Sequence, residues 1–278
     1  MTTDWLAAHL DNPQVRVVDI RGHVLPASAA LPHYYNHHDD YLTSHIPGAV
    51  FVDWVHEITD PADPRHAQIA DSRRFAEAMR RIGVSAETLV VAYDDASGMF
   101  AARLWWALNY YGHARVAILH GGWQQWIAES RPIEAALPVV TPGTFSPRCV
   151  EQLYRNGDQV ADSLNRGQIL IDVRSADEFA GRTSRASRSG HIPGAINLAR
   201  TDLLDSAGNL LNPEDLRLKF TAAGIDLDQP EQNVVFYCNA GVSASFGLLA
   251  LRMAGYEGGA VYDGSWKDWG NNPQRPIE

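Results

Sequence analysis

Ser44-His45-Ile46-Pro47-Gly48-Ala49-Val50 returns later in the chain as Gly190-His191-Ile192-Pro193-Gly194-Ala195-Ile196, and this repetition decides the fold. Three further pairs keep the same order. Val17-Val18-Asp19-Ile20-Arg21 matches Leu170-Ile171-Asp172-Val173-Arg174, each a short buried strand ending in an acid and a base. Val90-Val91-Ala92-Tyr93 answers Val234-Val235-Phe236-Tyr237, and Gly121-Gly122-Trp123-Gln124-Gln125-Trp126 answers Asp263-Gly264-Ser265-Trp266-Lys267-Asp268-Trp269. The spacing between partners is nearly constant, as expected of two copies of one domain that differ by small loop insertions. Arg131 to Arg148 holds Pro132, Pro138, Pro142, Gly143 and Pro147 without a helical period, and so reads as a connector. The expected organisation is a first domain over residues 1–134, a linker over 135–147 and a second domain over 148–278.

Within each copy, β-branched runs alternate with helical patterns, which predicts an α/β fold with a mostly parallel sheet flanked by helices. Arg73 to Ile82 has one apolar face and ends at Gly83, a natural helix stop. In such sheets ligands collect at the carboxyl ends of the strands. The run Val234 to Tyr237 ends at Cys238, so a thiol stands where this fold puts chemistry.

Composition removes several alternatives. With 278 residues, 45% hydrophobic and 20% charged, the chain can build proper cores. Lysine and arginine total 23 against 33 acidic residues, a net charge of −10, which argues against a broad basic face for nucleic acid. No apolar run approaches the roughly 18–20 residues of a membrane span. The opening Met1-Thr2-Thr3-Asp4-Trp5 lacks a basic, then apolar, leader, so a cytoplasmic location without membrane attachment is expected. Only Cys149 and Cys238 occur, too few for a disulfide framework and without metal-ligand spacing. The patch His33, His37, His38, Asp39 and Asp40 reads as a solvated polar loop rather than a metal site. Neither metal nor cofactor is expected.

After Tyr237 the chain reads Cys238-Asn239-Ala240-Gly241-Val242-Ser243-Ala244, followed by a helical stretch from Ser245 to Met253. A strand, a tight loop of small residues and a helix start make a cradle of backbone N–H groups, reinforced by the helix dipole. That environment favours an anion, and hence a thiolate or a bound persulfide. In the first copy the loop is Asp94-Asp95-Ala96-Ser97-Gly98-Met99-Phe100. A carboxylate at Asp94 is no sulfur nucleophile and is expected to suit an anion cradle poorly. The first copy thus reads as a fold that has lost its chemistry.

These residues resemble the two-domain rhodanese-like sulfurtransferases, thiosulfate sulfurtransferase and 3-mercaptopyruvate sulfurtransferase. The resemblance spans nearly the whole chain and rests on the paired His-Ile-Pro-Gly-Ala segments, the strand end Asp172 to Arg174, the loop Cys238 to Ala244, and the closing Tyr262 to Gly270. It implies an inactive first domain, an active second one, and a ping-pong cycle without cofactor. Cys238 would take a sulfane sulfur from the donor and pass it as a persulfide to cyanide or a thiol, with a thioredoxin-like reductant as a candidate partner. The loop residues Asn239, Ala240, Gly241, Val242, Ser243 and Ala244 would bind substrate. Their neutrality leans toward mercaptopyruvate, since thiosulfate-preferring members often carry basic residues there.

Three positions depart from the family pattern. The slot of the substrate-binding arginine holds Glu178, before Phe179; the proton-relay serine of mercaptopyruvate enzymes is Ala240; and its histidine partner would correspond to His66 in a poorly matching stretch. Arg182, Arg185 and Arg188 crowd the loop before His191 and are candidates to hold a carboxylate or sulfonate. A phosphatase is excluded, because the arginine of the Cys-x5-Arg signature is replaced by Ala244. A non-catalytic persulfide carrier or redox-regulated binding module remains the alternative. His45, His191, the Asp19–Arg21 and Asp172–Arg174 pairs, and Trp123, Trp126, Trp266 and Trp269 recur in both copies and read as structural. Cys149 reads as inert.

Overall fold

The computed structural model describes residues 1–63, 68–164, 166–229 and 231–278. The chain divides into two compact units, Met1–Ala62 with Ile69–Val150, and Asp63–Gln68 with Glu151–Glu278. His66 lies outside the described residues.

In the first unit the strands are β1 (Val15–Asp19), β2 (Gly22–Val24), β3 (Tyr34–Asn36), β4 (Val50–Phe51), β5 (Leu89–Tyr93) and β6 (Val116–Ile118). The helices are α1 (Thr3–Ala7), α2 (His38–Thr43), α3 (Ser72–Arg81), α4 (Met99–Tyr110) and α5 (Gly122–Ala128). A parallel sheet has the order β4-β1-β5-β6, and β2 and β3 form a separate antiparallel hairpin. The second unit carries β7 (Tyr154–Arg155), β8 (Ile169–Asp172), β9 (Ile196–Asn197), β10 (Val234–Tyr237) and β11 (Ala260–Tyr262), with α6 (Gly157–Ser163), α7 (Ala176–Phe179), α8 (Pro213–Ala222), α9 (Val242–Met253) and α10 (Ser265–Trp269). Its sheet is parallel throughout, in the order β7-β11-β10-β8-β9.

The central strands are apolar at consecutive positions because helices cover both faces. All four residues of β10 are buried, as are Leu170 and Ile171 of β8. Local signals set the helix ends. Asp71 caps α3 by accepting the Arg74 N–H, and Gly83, at φ +83°, follows its end. Asn212 caps α8 ahead of Pro213 in the first turn.

At each strand end sits the buried acid–base pair seen in the sequence. Arg21 Nε lies 3.1 and 2.9 Å from the Asp19 oxygens, and its other arm donates to Ser44 O at 2.7 Å. Arg174 Nε lies 3.0 Å from both Asp172 oxygens, with its terminal nitrogen on Asp172 Oδ2 at 2.6 Å and Gly190 O at 2.9 Å. Each arginine lies over a tryptophan, Trp123 at 4.3 Å and Trp266 at 4.5 Å. The pairs therefore clamp each strand end to the His-Ile-Pro-Gly segment. Trp126, Trp266 and Trp269 are fully buried core residues. His45 and His191 stack on Tyr41 and Phe179 and bond to the carbonyls of those same residues.

Two sequence expectations change. The polar patch is not a loop: Tyr34–Asn36 pairs as a strand and His38 opens α2, because Tyr41 buries itself and donates to Ala49 O at 2.9 Å. The proline-rich stretch after Glu134 runs along the first unit. Phe145 is buried against Phe75, Gly143 N donates to Arg80 O at 2.8 Å, and Arg148 N donates to Tyr111 O at 3.0 Å.

Removing one partner of a buried ion pair strands the other. Arg174→Leu should cost roughly 3–5 kcal/mol of unfolding free energy, read from urea denaturation. A loss below about 1 kcal/mol, the scale of a surface pair, would show that the clamp carries little.

Candidate active site

Cys238 follows β10 directly and is 4% exposed, whereas Cys149 is exposed. The loop turns through Gly241, whose φ of +73° suits a residue without Cβ, and α9 begins at Val242. That start is three residues earlier than the sequence pattern suggested, so Val242, Ser243 and Ala244 form its first turn. The amides of Asn239, Ala240, Val242 and Ala244 have no acceptor among the described residues.

The first unit shows what such a junction holds. Asp94 is 1% exposed, and its carboxylate accepts four backbone N–H groups: Ala96 at 2.9 Å, Gly98 at 2.8 Å, Phe100 at 2.7 Å and Ala101 at 2.8 Å. Burial raises the Asp94 carboxyl above its usual range, and the amides of Ala101, Ala96 and Gly98 oppose that rise. The expectation that a carboxylate suits this cradle poorly is thus corrected: Asp94 is itself the anion that fills it. Counting from the caps Gly98 and Gly241, the amides of Phe100 and Ala101 correspond to those of Ser243 and Ala244. Cys238 stands in place of the built-in carboxylate, so the second loop carries a thiol where the first carries its own anion.

A residue given no role in the sequence reading braces this loop. Ser265 Oγ accepts the Cys238 N–H at 3.0 Å and the Gly241 N–H at 3.1 Å, and donates to Tyr262 O at 2.7 Å. Its φ is +52°, a left-handed conformation costing a non-glycine residue about 1–3 kcal/mol. The first unit has Gly122 here, at φ +54°, and the Gly98 amide goes to Asp94 instead. A serine hydroxyl therefore takes over one donor that the carboxylate no longer accepts. The signal was present as Gly-Gly-Trp against Gly-Ser-Trp, but its meaning depends on the loop across from it. Backbone bonds repeat as well: Trp266 N donates to Cys238 O at 2.9 Å, and Trp123 N to Asp94 O at 2.9 Å.

Among the predicted substrate groups, the structure gathers some and separates others. Asn239 Nδ2 donates to Glu178 Oε1 at 2.8 Å, and Arg185 Nε lies 4.0 Å from the same oxygen. Cys238, Asn239, Glu178 and Arg185 thus form one chain of neighbours. Arg182 is exposed and bound to Asp177 through Nε at 2.7 Å. Arg188 is a correction: its nitrogens donate to Gly270 O, Trp269 O, Arg275 O and Asn272 O, because the carbonyls after α10 need donors. It anchors the end of the chain rather than awaiting a substrate. Ala240 is buried in the loop wall, and Val242 and Ala244 are buried in the first turn of α9. Among the described residues no cluster of metal-ligating side chains occurs.

This pairing of folds and loops defines a family. The description "Rhodanese-like domain" matches residues 2–129 and again 156–272. The chain is 32% identical to the sulfur carrier protein TtuD of Thermus thermophilus, across all of this chain and 95% of that one. It is 31% identical to the thiosulfate sulfurtransferase of Bos taurus, covering 97% and 91% of the two chains. The crystal structure of the 3-mercaptopyruvate sulfotransferase SseA from Escherichia coli superposes with a TM-score of 0.82 at 30% identity, over 96% of this chain and 98% of that one. The chain belongs to the two-domain rhodanese-like sulfurtransferase family.

Ser265→Ala leaves two buried amides without their acceptor. It should lower unfolding free energy by about 1–3 kcal/mol, measured by urea denaturation. Unchanged stability would mean that the hydroxyl does not hold the loop.

Proposed function

We propose that the chain moves a sulfane sulfur from 3-mercaptopyruvate or thiosulfate to cyanide or a thiol through a persulfide on Cys238. The observation that carries this reading is the contrast between the two cradles, one filled by the Asp94 carboxylate and the other built around a thiol. With thiosulfate, the Cys238 thiolate bonds to the outer sulfur and sulfite leaves with the electron pair of the broken S–S bond. With 3-mercaptopyruvate, the carbon–sulfur bond breaks, and the carbon that leaves with the pair takes a proton to become pyruvate. In both cases the persulfide's charge develops against the amides of the loop and the first turn of α9. In the second half, cyanide or a thiolate bonds to the outer sulfur, and Cys238 leaves as thiolate, ready for another cycle. A thioredoxin-like dithiol is a natural acceptor, and the cytoplasm, which keeps thiols reduced, the natural setting. No described helix is long and apolar enough to cross a membrane.

Donor selection rests on charge. Asn239 and Ala240 add no cation beside Cys238, which favours mercaptopyruvate over the thiosulfate dianion. Of the three candidate arginines, Arg185 best suits the donor's anionic end, being mostly buried and linked through Glu178 to Asn239.

A second reading, a persulfide carrier that loads once and hands sulfur to a protein partner, is favoured by Glu178 in the family's arginine slot and fits the name of the TtuD relative. Steady-state kcat/KM for both donors with cyanide separates the readings. The enzyme reading predicts multiple turnovers, at least tenfold preference for mercaptopyruvate, about 1.4 kcal/mol in transition-state binding, and no turnover in Cys238→Ser. Arg185→Gln should raise KM for the preferred donor severalfold. Stoichiometric loading of Cys238 without turnover would favour the carrier.

A further inference from the structure

We infer that Glu178 is a positioning residue for sulfur transfer, acting on the Cys238 loop through the side chain of Asn239. This rests on the reading of Cys238 as the sulfur-carrying nucleophile. The family's pattern leads one to expect a cation that touches the donor here, yet the carboxylate is fully engaged with the protein. Glu178 Oε2 accepts from Ser175 N at 3.3 Å and from Ser175 Oγ at 3.0 Å, completing the capping box of α7. Glu178 Oε1 accepts from Asn239 Nδ2 at 2.8 Å. One carboxylate thus joins the segment after the Asp172–Arg174 clamp to the residue that follows the nucleophile. The contact also fixes the orientation of the Asn239 amide, since the opposite orientation would bring two oxygens together.

The first unit supplies an independent reason to read this contact as control of loop shape. There the residue after Asp94 is Asp95, and it too is tied to the segment after the clamp, accepting from Gly22 N at 3.2 Å. The polarity is reversed, with a side-chain acceptor on the loop in one unit and a side-chain donor in the other, but the tether is in the same place. The backbone oxygen of this residue is held in both units as well, by Lys267 N at 3.0 Å on Asn239 and by Gln124 Nε2 at 2.7 Å on Asp95. In the first unit a loop tethered this way aims four amides at one carboxylate. In the second, the same tether acts on the loop that carries the corresponding amides beside Cys238. Losing it lets Asn239 swing and takes the neighbouring amides off the developing charge, which slows bond making at Cys238.

Three variants separate loop positioning from helix capping and from plain charge. Ser175→Ala removes only cap contacts. Glu178→Gln removes the charge while its amide oxygen can still accept from Asn239. Glu178→Ala removes everything. Two rates are measured with peptide mapping, so that Cys149 is counted apart: sulfur loading of Cys238 by 3-mercaptopyruvate or thiosulfate, and alkylation of Cys238 by iodoacetamide across pH. Positioning predicts that Ser175→Ala loses thermal stability but reacts within about twofold of the parent, that Glu178→Ala slows loading at least tenfold and shifts the alkylation profile, and that Glu178→Gln recovers most of the loss. Asn239→Ala should reproduce the loss, and the double variant Glu178→Ala/Asn239→Ala should be no slower than the slower single. The inference is overturned if Glu178→Ala reacts within twofold of the parent, if Glu178→Gln is as slow as Glu178→Ala, or if the two single losses multiply. Should Glu178→Ala not fold, Asn239→Ala and Glu178→Gln still decide, through unchanged rates in the first or a full loss in the second. Failure of the parent to take up sulfur from either donor would instead count against the sulfurtransferase reading, and the alkylation rates would still report whether Glu178 shapes the loop.

Discussion

Backbone amides at the end of a parallel strand, where a tight loop enters a helix, need hydrogen-bond acceptors and favour a negative one. This constraint is met twice in one chain, in two different ways. The first unit supplies the anion itself, as the Asp94 carboxylate under four N–H groups. The second supplies a cysteine, whose sulfur can carry charge, gain a second sulfur and lose it again. Duplication therefore yields one copy whose loop holds a fixed carboxylate and one whose loop carries a thiol in its place, the group on which the proposed sulfur transfer turns.

The rest of each unit keeps the cradle in shape. The buried Asp–Arg pairs fix the adjacent strand end, and the tryptophans beneath the arginines carry the backbone donors that hold the Cys238 carbonyl and its Asp94 counterpart. Where the two loops differ, the differences follow from the exchange of a carboxylate for a thiol. Gly122 needs no hydroxyl because Asp94 takes the Gly98 amide, whereas Ser265 must accept from both Cys238 and Gly241. Ser265 does so in a left-handed conformation that glycine would adopt more easily. That strain marks a site where the hydroxyl is worth more than the relaxed backbone.

Much of this was legible in the sequence, and the reasons are local. Consecutive apolar residues mark buried strands, Gly83 marks a helix stop, and repeated segments align two copies without reference to space. The thiol at the end of Val234 to Tyr237 was visible on the same grounds. What escaped was pairing between distant segments. Nothing near Arg188 in sequence says that its guanidinium will meet the carbonyls of residues 269–275, and nothing near Glu178 says that Asn239 lies beside it. The polar patch at His37 hid a helix because a single buried side chain, Tyr41, anchors it. The role of Asp94 was misread for a related reason: the sequence shows a carboxylate, and only the folded loop shows the amides that surround it.

The most direct test is the mass of the Cys238 peptide after brief incubation of the reduced protein with 3-mercaptopyruvate or thiosulfate, followed by cyanide. Sulfur transfer through Cys238 predicts that one sulfur atom is added there and none at Cys149, and that cyanide removes it as thiocyanate with the thiol regenerated. An unmodified Cys238 with both donors, or sulfur that appears on Cys149 instead, would contradict it.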